Sequence, residues 1–398
     1  MSKAVVIIPT YNEAGNLPIT IEKLAQVFQK INNWQMQILV VDDSSPDGTA
    51  EVVLNLQKKY SFLQLLVNKK KAGLGSAYLK GMDQAFNHLG ADLVFEFDAD
   101  LSHDPAIMPL MLKEIERGSD LVLGSRYIAG GSIPQNWGLH RKFLSVFGNL
   151  FIRLVMWDFS IKDWTTGYRA IKKEVYQAVA NELESERFFG YTFQIGFLHK
   201  AKKKNFKISE VAFAFKDREI GKSKIGPEYI KNTLLYVMKV RIQEIVNSRL
   251  FKFAVTGAIG ALVQLLSLSL YRFLLPDFQY LFLTTYLVAT ILSIETAIIS
   301  NFILSNFWTF ADRKLKKQSM PKKFIEFNLT SGGSLLIQML VAAIGENTLG
   351  LFDLFTLPIV AIKVDTGMIF AVTGILIGMF WNFFAYNTFI WKKKEIIN

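Results

Sequence analysis

The stretch LVFEFDADLSH, residues 93–103, decides how this chain is expected to fold. A short apolar strand, Leu93–Phe97, is followed at once by two carboxylates, Asp98 and Asp100. In an open α/β sheet, ligands bind at the carboxyl ends of the strands. Carboxylates at that edge suit a hard divalent cation, which also takes water and substrate phosphates as ligands. The same letters fit a strand that ends in a polar turn, so the surrounding sequence has to distinguish the two interpretations.

Apolar strands alternate with helical stretches throughout the first half of the chain. Such alternation predicts an α/β fold with a mainly parallel, doubly wound sheet. The predicted strands are Ala4–Ile8, Ile38–Val41, Leu63–Val67, Leu93–Phe97, Leu121–Leu123 and Val211–Phe215. The two carboxylates are therefore expected at a ligand-binding edge of this sheet.

The second half of the chain is far more apolar than the first. Hydrophobic residues make up 51% of the chain against 20% charged residues, so a wholly soluble protein is not expected. Four segments approach the ~20 apolar residues that a bilayer crossing requires and are predicted to be transmembrane helices: about Phe253–Leu275, Tyr280–Phe310, Phe327–Gly345 and Thr366–Trp391. Lys and Arg cluster between the second and third segments and after the fourth. By the positive-inside rule, both termini and the first domain are cytoplasmic.

The membrane half contains an internal repeat. Five residues of its first part recur at a constant spacing in the second: Phe253, Thr256, Leu262, Gln264 and Leu266 reappear as Phe327, Thr330, Leu336, Gln338 and Leu340. Two copies of a helical hairpin in the same orientation follow from these matches. Small residues, Gly257 and Gly260 in one copy and Gly332 and Gly333 in the other, predict close helix packing. Glu295 in the second segment is costly in lipid, and is either functional or bonded to a neighbouring helix.

Two further helices combine an apolar spacing with basic residues. They cover Arg141–Trp157 and Tyr229–Arg249. Periodicity fits an ordinary core helix equally well, but the adjacent membrane segments favour helices that lie in the membrane interface. The predicted domains are therefore a cytoplasmic domain over 1–227, with an interfacial helix at about 140–157, an amphipathic linker helix over 228–250, and a membrane domain over 251–398.

The chain has no cysteine and only four histidines. Disulfides, thiol catalysis and cysteine-ligated metal centres are excluded, and an imidazole-rich metal site is not expected. The net charge of +11 fits either nucleic acid or anionic lipid as a partner. Because many of the basic residues lie beside apolar segments, a membrane surface is favoured over nucleic acid.

Two more loops carry polar residues to the sheet edge that holds Asp98. The first predicted strand ends in PTYNE, residues 9–13, and the second runs into DDSSPDGT, residues 42–49. An aromatic ring such as Tyr11 can stack on a base, and carboxylates accept hydrogen bonds from base N–H groups and ribose hydroxyls. Each loop alone fits a helix cap or a turn. Their convergence beside the two carboxylates predicts a nucleotide site, to which Gly73-Leu74-Gly75 adds a loop that can approach phosphates.

Five motifs in this order resemble those of the family-2 glycosyltransferases of GT-A fold: PTYNE (9–13), VVDDSSPDGT (40–49), GLGSAYLKGM (73–82), DADLSHDP (98–105) and GSRY (124–127). The resemblance covers about residues 4–240 and is strongest to the polyprenol-phosphate (dolichol-phosphate) mannose synthases. Residues 250–391, including SNFILSNFWTF (300–310), resemble the four-helix GtrA-type membrane domain that is fused to some members. A GT-A catalytic domain followed by a GtrA-like membrane domain is therefore expected.

The resemblance also implies a set of site residues. The nucleotide would be bound by Pro9, Tyr11, Glu13, Asp42, Asp43 and Asp98. The donor diphosphate would carry Mg²⁺ or Mn²⁺, held by Asp98, Asp100 and Ser102. The lipid phosphate would be bound by Arg126, Arg141, Ser145, Arg218 and Lys224. The catalytic residues among these would be Asp98, Asp100, Arg126 and Arg218, with the loop KDWTTGYR (162–169) shaping the sugar and acceptor site.

The implied reaction is inverting transfer of a hexose to a polyprenyl phosphate, with mannose from GDP-mannose as the favoured donor. A phosphate monoester has a second pKa of about 6, so near neutral pH the acceptor is largely a dianion and itself a nucleophile. No strong general base is needed, which agrees with the few histidines. Two alternatives stay open: a UDP-glucose or other UDP-sugar donor, because the loops do not distinguish guanine from uracil, and a lipid-linked-sugar translocator with a regulatory soluble domain.

Overall fold

A seven-stranded mixed sheet forms the centre of the first of two compact units, Met1–Arg241 and Ile242–Asn398. The computed structural model describes residues 1–71, 73–184, 191–217, 227–277, 279–280, 283–350, 352–357 and 362–392. The strands of this sheet are β1 (Ser2–Thr10), β2 (Trp34–Asp42), β3 (Leu63–Val67), β4 (Leu93–Glu96), β5 (Leu121–Ser125), β6 (Arg169–Lys172) and β7 (Ile208–Ala212). The helices up to residue 247 are α1 (Leu17–Phe28), α2 (Thr49–Gln57), α3 (Leu74–Asp83), α4 (Met108–Glu116), α5 (Leu139–Val155), α6 (Lys173–Glu184), α7 (Thr192–Lys203) and α8 (Pro227–Asn247).

The strands lie in the order β3-β2-β1-β4-β6-β5-β7. All neighbours are parallel except β6, which is antiparallel to both β4 and β5. The predicted α/β class with a mainly parallel sheet is confirmed, with two corrections. Strand β7 covers Ile208–Ala212 rather than Val211–Phe215, because its pairing with β5 begins at Leu121 opposite Ile208. Strand β6 was not predicted, because it is only four residues long and begins with the charged Arg169.

Alternate residues of β1 enter two apolar layers on opposite faces of the sheet. Val5 and Ile7 belong to the layer that holds Tyr78 and Met82 of α3, and the side chains between them belong to the layer under α1. Every side chain from Ala4 to Ile8 is fully buried, as expected for strands covered by helices on both faces. This core fixes the strand ends that carry the polar loops.

Helix α5 turns most of its apolar residues outward. Asn149 and Ile152 are buried, whereas the exposed fraction reaches 85% at Leu139 and 58% at Phe143. The helix predicted over Arg141–Trp157 is thus confirmed, with both its start and its end two residues earlier. An exposed apolar face of this kind is typical of helices at a membrane interface, and that location stays a prediction.

Two helical hairpins make up the second unit. Their helices are α9 (Arg249–Leu274), α10 (Thr285–Leu304), α11 (Met320–Leu349) and α12 (Thr366–Ala385), and the short strands between paired helices are β8 (Gln279–Tyr280), β9 (Leu283–Thr284), β10 (Asp353–Leu357) and β11 (Ile362–Asp365). Helices α10 and α12 both continue into a π-helical turn, Ser305–Thr309 and Tyr386–Ile390 respectively. The two hairpins thus share the same sequence of elements, as the internal repeat predicts.

Among the described residues, no single helix combines the length and the hydropathy that a bilayer crossing requires. One bent pair, Glu228–Asn247 with Arg249–Gln264 at 58°, meets that criterion jointly, by length and composition alone. Glu295 lies on an exposed part of α10.

The predicted close packing at small residues holds at only some of them. An added Cβ on Gly260 would lie 2.6 Å from Cγ of Asn301, and one on Gly333 would lie 2.6 Å from Nε1 of Trp381. At Gly257 and at Gly332, no atom of the described residues beyond the glycine's own stretch of helix lies within 4 Å of that position. The prediction is therefore confirmed at Gly260 and Gly333, and at Gly257 and Gly332 it has no support among the described residues.

Candidate active site

The carboxyl ends of β1, β2, β4 and β5 lie at one edge of the sheet, so their loops meet there. The first two loops are joined directly: the backbone N–H of Asn12 donates to Oγ of Ser45 at 3.0 Å, and that of Glu13 donates to Oγ1 of Thr49 at 3.1 Å. The backbone N–H of Ala14 donates to Oδ2 of Asp47 at 3.1 Å. The convergence of polar loops that the sequence predicted is confirmed.

Asp98 and Asp100 stand at the end of β4 in different environments. The side chain of Asp98 is 38% exposed, and its Oδ1 accepts a hydrogen bond from the hydroxyl of Tyr78 at 3.2 Å. Asp100 is buried, and its Oδ1 accepts from the backbone N–H of Ser102 at 3.1 Å. The chain turns between Asp100 and Ser102, where Leu101 adopts φ +65°, a left-handed conformation. Burial, with the Asp98 charge, raises the pKa of Tyr78 well above its usual value, so this phenol stays a donor.

His103 supports the same loop from inside the protein. Its Nδ1 accepts from the backbone N–H of Asp98 at 3.1 Å, and its ring stacks on Tyr168 with centroids 4.9 Å apart. Burial lowers the pKa of His103, although the nearby Asp98 charge opposes this. The imidazole is therefore neutral near pH 7, and the proton lies on Nε2, which is 3.7 Å from Oδ2 of Asp98. His103 holds the loop without adding a charge to it.

The loop at Asp98–Ser102 has the donor set of a divalent-cation site. It offers two carboxylates together with the Ser102 hydroxyl, which is buried and has no hydrogen-bond partner among the described residues. A hard cation prefers such oxygen ligands and fills its remaining positions with water and phosphate. Within the described ranges, no three acidic or histidine side chains already surround a common cation position. The residues present fit a metal that is completed by a bound diphosphate.

The residues predicted to bind the nucleotide differ in their hydrogen bonds within the protein. Asp42 is buried, and its carboxylate accepts from Oγ1 of Thr10 at 3.0 Å and from the backbone N–H of Ser45 at 3.0 Å. Asp43 accepts from Nδ2 of Asn68 at 2.5 Å and from the backbone N–H of Gly73 at 3.0 Å. These bonds shape the turn after β2 and tie it to the start of α3.

The first loop contributes an aromatic face and a carboxylate. The ring of Tyr11 lies under Nζ of Lys71, 3.6 Å from the ring centroid. Oε2 of Glu13 accepts from Nδ2 of Asn16 at 2.7 Å, and the Glu13 carbonyl accepts from the backbone N–H groups of residues 16 and 17 at the start of α1. Pro9 lies within β1, opposite Val41. The Glu13 carboxylate thus bonds the side chain of Asn16, the N-cap residue of α1, and its nucleotide contact stays a prediction.

Arg126 is buried immediately after β5 and forms a bidentate ion pair with Asp163. Its Nε donates to Oδ2 and its Nη2 to Oδ1, both at 2.7 Å, and its backbone N–H also donates to Oδ2 at 3.1 Å. Burial alone would lower the pKa of Arg126, but the Asp163 carboxylate more than compensates and raises it. Arg126 is therefore permanently charged and fixed in orientation.

Helix α5 meets this edge through Ser145. The Ser145 hydroxyl and the Tyr127 hydroxyl are 2.5 Å apart, next to Arg126 in sequence. Arg141 lies nearer the start of α5, with its guanidinium over the Trp137 ring at 3.8 Å and Nη1 3.4 Å from Oδ1 of Asp217. The other two predicted phosphate ligands, Arg218 and Lys224, lie outside the described residues.

Two supporting residues were not found from the sequence, Asn149 of α5 and Glu210 of β7. Oδ1 of Asn149 accepts from the backbone N–H of Trp164 at 2.9 Å, and Glu210 accepts from the backbone N–H groups of Lys162 and Asp163, both at 3.0 Å. The signal for Asn149 was a single amide among the apolar residues of an amphipathic helix. No such signal marked Glu210, because the strand that contains it was predicted at Val211–Phe215, which leaves this residue out.

Two family models match the chain: glycosyl transferase family 2 over residues 5–180, and the GtrA/DPMS transmembrane domain over residues 252–391. The dolichol-phosphate mannosyltransferase of Pyrococcus furiosus is 31% identical over 343 residues, which cover 85% of this chain and 89% of that protein. The chain belongs to the dolichol-phosphate mannosyltransferase family. The resemblance identified from the motifs is thereby confirmed for both halves.

A second relative of this dolichol-phosphate mannosyltransferase family member agrees with that assignment. The polyprenol monophosphomannose synthase of Mycolicibacterium smegmatis is 36% identical over 236 residues, 59% of this chain and 85% of that one. Among solved structures, the glucosyl-3-phosphoglycerate synthase of Mycobacterium tuberculosis shares 14% identity over 60% of this chain and 80% of its own, with a TM-score of 0.45.

Proposed function

We propose that the chain transfers mannose from GDP-mannose to the phosphate of a polyprenyl lipid, giving a polyprenyl-phosphate mannose and GDP. Membership of the dolichol-phosphate mannosyltransferase family supports the reaction class. The observation that carries the proposal is the contact between Tyr127 and Ser145. It joins the sheet edge, with its nucleotide-type loops, to a helix whose apolar face is exposed.

The acceptor supplies its own nucleophile. Near neutral pH, the lipid phosphate is largely dianionic, because its second pKa is about 6. One of its oxygens bonds to the anomeric carbon of mannose, while the bond from that carbon to the diphosphate breaks from the opposite face, so the configuration inverts. Arg126 holds the acceptor phosphate in this scheme, together with Ser145, Arg141, Arg218 and Lys224. Their cationic members offset the repulsion between the lipid phosphate and the donor diphosphate.

The donor is held at the ends of β1, β2 and β4. Tyr11 stacks on the base, and Pro9, Glu13, Asp42 and Asp43 form the surrounding nucleoside pocket. Asp98, Asp100 and Ser102 would hold Mg²⁺ or Mn²⁺ on the diphosphate. When bound, that cation stabilises the negative charge that develops on the leaving nucleoside diphosphate.

The second unit supplies the membrane anchor in this proposal. Four membrane helices, with both termini and the catalytic domain in the cytoplasm, fit the match to the GtrA/DPMS transmembrane domain. The domain limits at 1–227, 228–250 and 251–398 belong to the same proposal. In this arrangement, the exposed apolar face of α5 rests in the interface from which the acceptor arrives.

A donor screen tests the proposal. The purified full-length protein is incubated with Mn²⁺, a polyprenyl phosphate and either GDP-mannose or UDP-glucose, and the lipid product is identified by mass spectrometry. We expect mannose transfer from GDP-mannose and none from the uridine donor. Transfer from UDP-glucose alone would refute the mannose assignment, and transfer from neither donor would favour a translocator with a regulatory soluble domain.

A further inference from the structure

Four consecutive backbone N–H groups of the segment Lys162–Thr165 all donate to side-chain oxygens. Glu210 of β7 accepts the first two with its two carboxylate oxygens, and Asn149 of α5 accepts the third. The fourth, that of Thr165, donates to Oδ1 of Asp163 at 3.3 Å. Irregular backbone usually bonds to other backbone groups or to water. Here, side chains from a strand and a helix determine where the segment lies.

The segment carries the partner of Arg126. The Asp163 carboxylate is fully buried and accepts three hydrogen bonds from that arginine. Oγ1 of Thr165 accepts a further bond from Nη2 of Arg126, at 2.8 Å. A shift of the Lys162–Thr165 backbone would therefore move the guanidinium with it.

Asn149 contacts the segment at two points. Its Oδ1 accepts from Trp164, and its Nδ2 donates to Oγ1 of Thr165 at 3.2 Å. The residue is buried, whereas Phe147 and Leu150 on the same helix are 49% and 36% exposed. Asn149 thus connects the inner side of an outwardly apolar helix to the group that orients Arg126.

We propose that Asn149 and Glu210 are positioning residues that set the orientation of Arg126 for the acceptor phosphate. This inference rests on the proposed function, in which Arg126 binds that phosphate. Asn149 and Glu210 do not themselves contact substrate. They act through the Lys162–Thr165 backbone and the Asp163 carboxylate.

The kinetic test compares Asn149→Ala, Glu210→Ala and Glu210→Gln in the full-length protein. Because small misplacements of a binding group cost up to about a hundredfold in rate, we expect kcat/KM for polyprenyl phosphate to fall by roughly tenfold or more. The KM for GDP-mannose should change by less than about twofold, and Glu210→Gln, which keeps one acceptor oxygen, should recover part of the loss. The exposed Asn87, whose side chain donates to Oδ1 of Asp83 one helical turn away, provides the control Asn87→Ala. A fall in thermal stability with unchanged kinetics would overturn the proposal.

A double-mutant cycle separates positioning from general damage. Arg126→Lys removes the guanidinium that Asn149 is proposed to orient. In that background, Asn149→Ala should therefore lower kcat/KM little further. Additive losses would contradict the proposed coupling. Where Asn149→Ala does not fold, the cycle is run with Glu210→Gln.

A second test, by nuclear magnetic resonance, does not depend on mannose transfer. In protein labelled with ¹⁵N-arginine, the Nε–H signal of Arg126 is assigned by its disappearance in Arg126→Lys. Its hydrogen exchange should accelerate in Asn149→Ala and Glu210→Gln but not in Asn87→Ala. Unchanged hydrogen exchange at Arg126 in both variants would refute the positioning role. If exchange accelerates as expected but the protein transfers no mannose, only the proposed function is refuted.

Discussion

Glu96 and Arg169 face each other across the neighbouring strands β4 and β6, with both side chains fully buried and Oε2 3.7 Å from Nε. The arginine donates its hydrogen bonds to backbone carbonyls of Thr166, Gln194 and Trp164 rather than to the carboxylate. Both carboxylate oxygens of Glu96 have no hydrogen-bond partner among the described residues. Burial therefore outweighs the attraction to Arg169, and the pKa of Glu96 rises to about 7.

The stability of the protein should depend on pH through Glu96. Its pKa is higher in the folded than in the unfolded state, so the folded protein holds this proton more tightly. The contribution is complete below about pH 4.5 and is lost as the pH rises through about 7. Between pH 5 and 8, the loss amounts to about 2 kcal/mol.

Glu96→Gln, which resembles the protonated acid, is the matched variant. Thermal unfolding of both proteins across that pH range should show a shallower decline for the glutamine variant. Parallel curves would mean that Glu96 does not titrate in this range.

Asp163→Asn should destabilise the protein and stop transfer. It leaves the buried Arg126 charge without its partner, and such a loss costs about 3–5 kcal/mol. Chemical denaturation of the full chain measures the change. The double variant Arg126→Met/Asp163→Leu removes both charges and should unfold at a higher denaturant concentration than Asp163→Asn, although it too should be inactive.

Asp100→Asn should reduce turnover by about a hundredfold or more, because it weakens the charge that holds the cation against the diphosphate. Loss of Mn²⁺ binding, followed by electron paramagnetic resonance in the presence of GDP, is the direct readout. Asp83→Asn, on the surface beside Asn87, serves as the control. Normal Mn²⁺ affinity in Asp100→Asn would remove this residue from the metal site.

Ser102→Ala should separate stability from metal binding. The buried hydroxyl has no partner among the described residues, so its removal in metal-free protein should leave the unfolding temperature unchanged or raise it slightly. The same change should weaken Mn²⁺ binding in the presence of GDP. If Ser102→Ala changes neither the unfolding temperature nor the affinity for Mn²⁺, Ser102 is not a metal ligand.

Tyr11→Ala should raise the KM for the donor, while Tyr11→Phe should leave it nearly unchanged. Stacking of a base on an aromatic ring is worth about 1–3 kcal/mol, which corresponds to a rise of roughly fivefold to a hundredfold. The KM for polyprenyl phosphate should stay constant in both variants. An equal effect of alanine and phenylalanine would point to the hydroxyl instead of the ring.

Gly260→Ala should destabilise the second unit, and Gly257→Ala on the same helix should not. A Cβ on Gly260 would lie within 2.6 Å of Asn301, whereas one on Gly257 would meet no atom within 4 Å in the part of the chain that the structure describes, apart from its own helix. A clash of this size in a packed contact costs about 1–3 kcal/mol. Thermal unfolding in detergent, read on the full-length protein, compares the two variants, and equal unfolding temperatures would refute the close contact.

The sequence was sufficient for those parts of the fold that depend on local pattern. The strand ending at Asp98 and the helix at Arg141–Trp157 have clear apolar periodicities, so both were predicted. Strand β6 depends on pairing with two partners that are distant in sequence, and no local pattern marks it. The same reason applies to the site: the loop residues have recognisable motifs, whereas Asn149 and Glu210 act on a backbone segment that only the tertiary structure brings to them.

The antiparallel direction of β6 determines which loop lies between the Asp98–Ser102 loop, after β4, and Arg126, after β5. Neighbouring strands are about 4.8 Å apart, so inserting β6 separates the ends of β4 and β5 by roughly 10 Å. A parallel strand would bring its following loop to this edge. An antiparallel strand brings the loop that precedes it, and here that loop carries Asp163. The direction of one four-residue strand therefore decides which loop lies at this edge, and that loop carries the anion that orients Arg126.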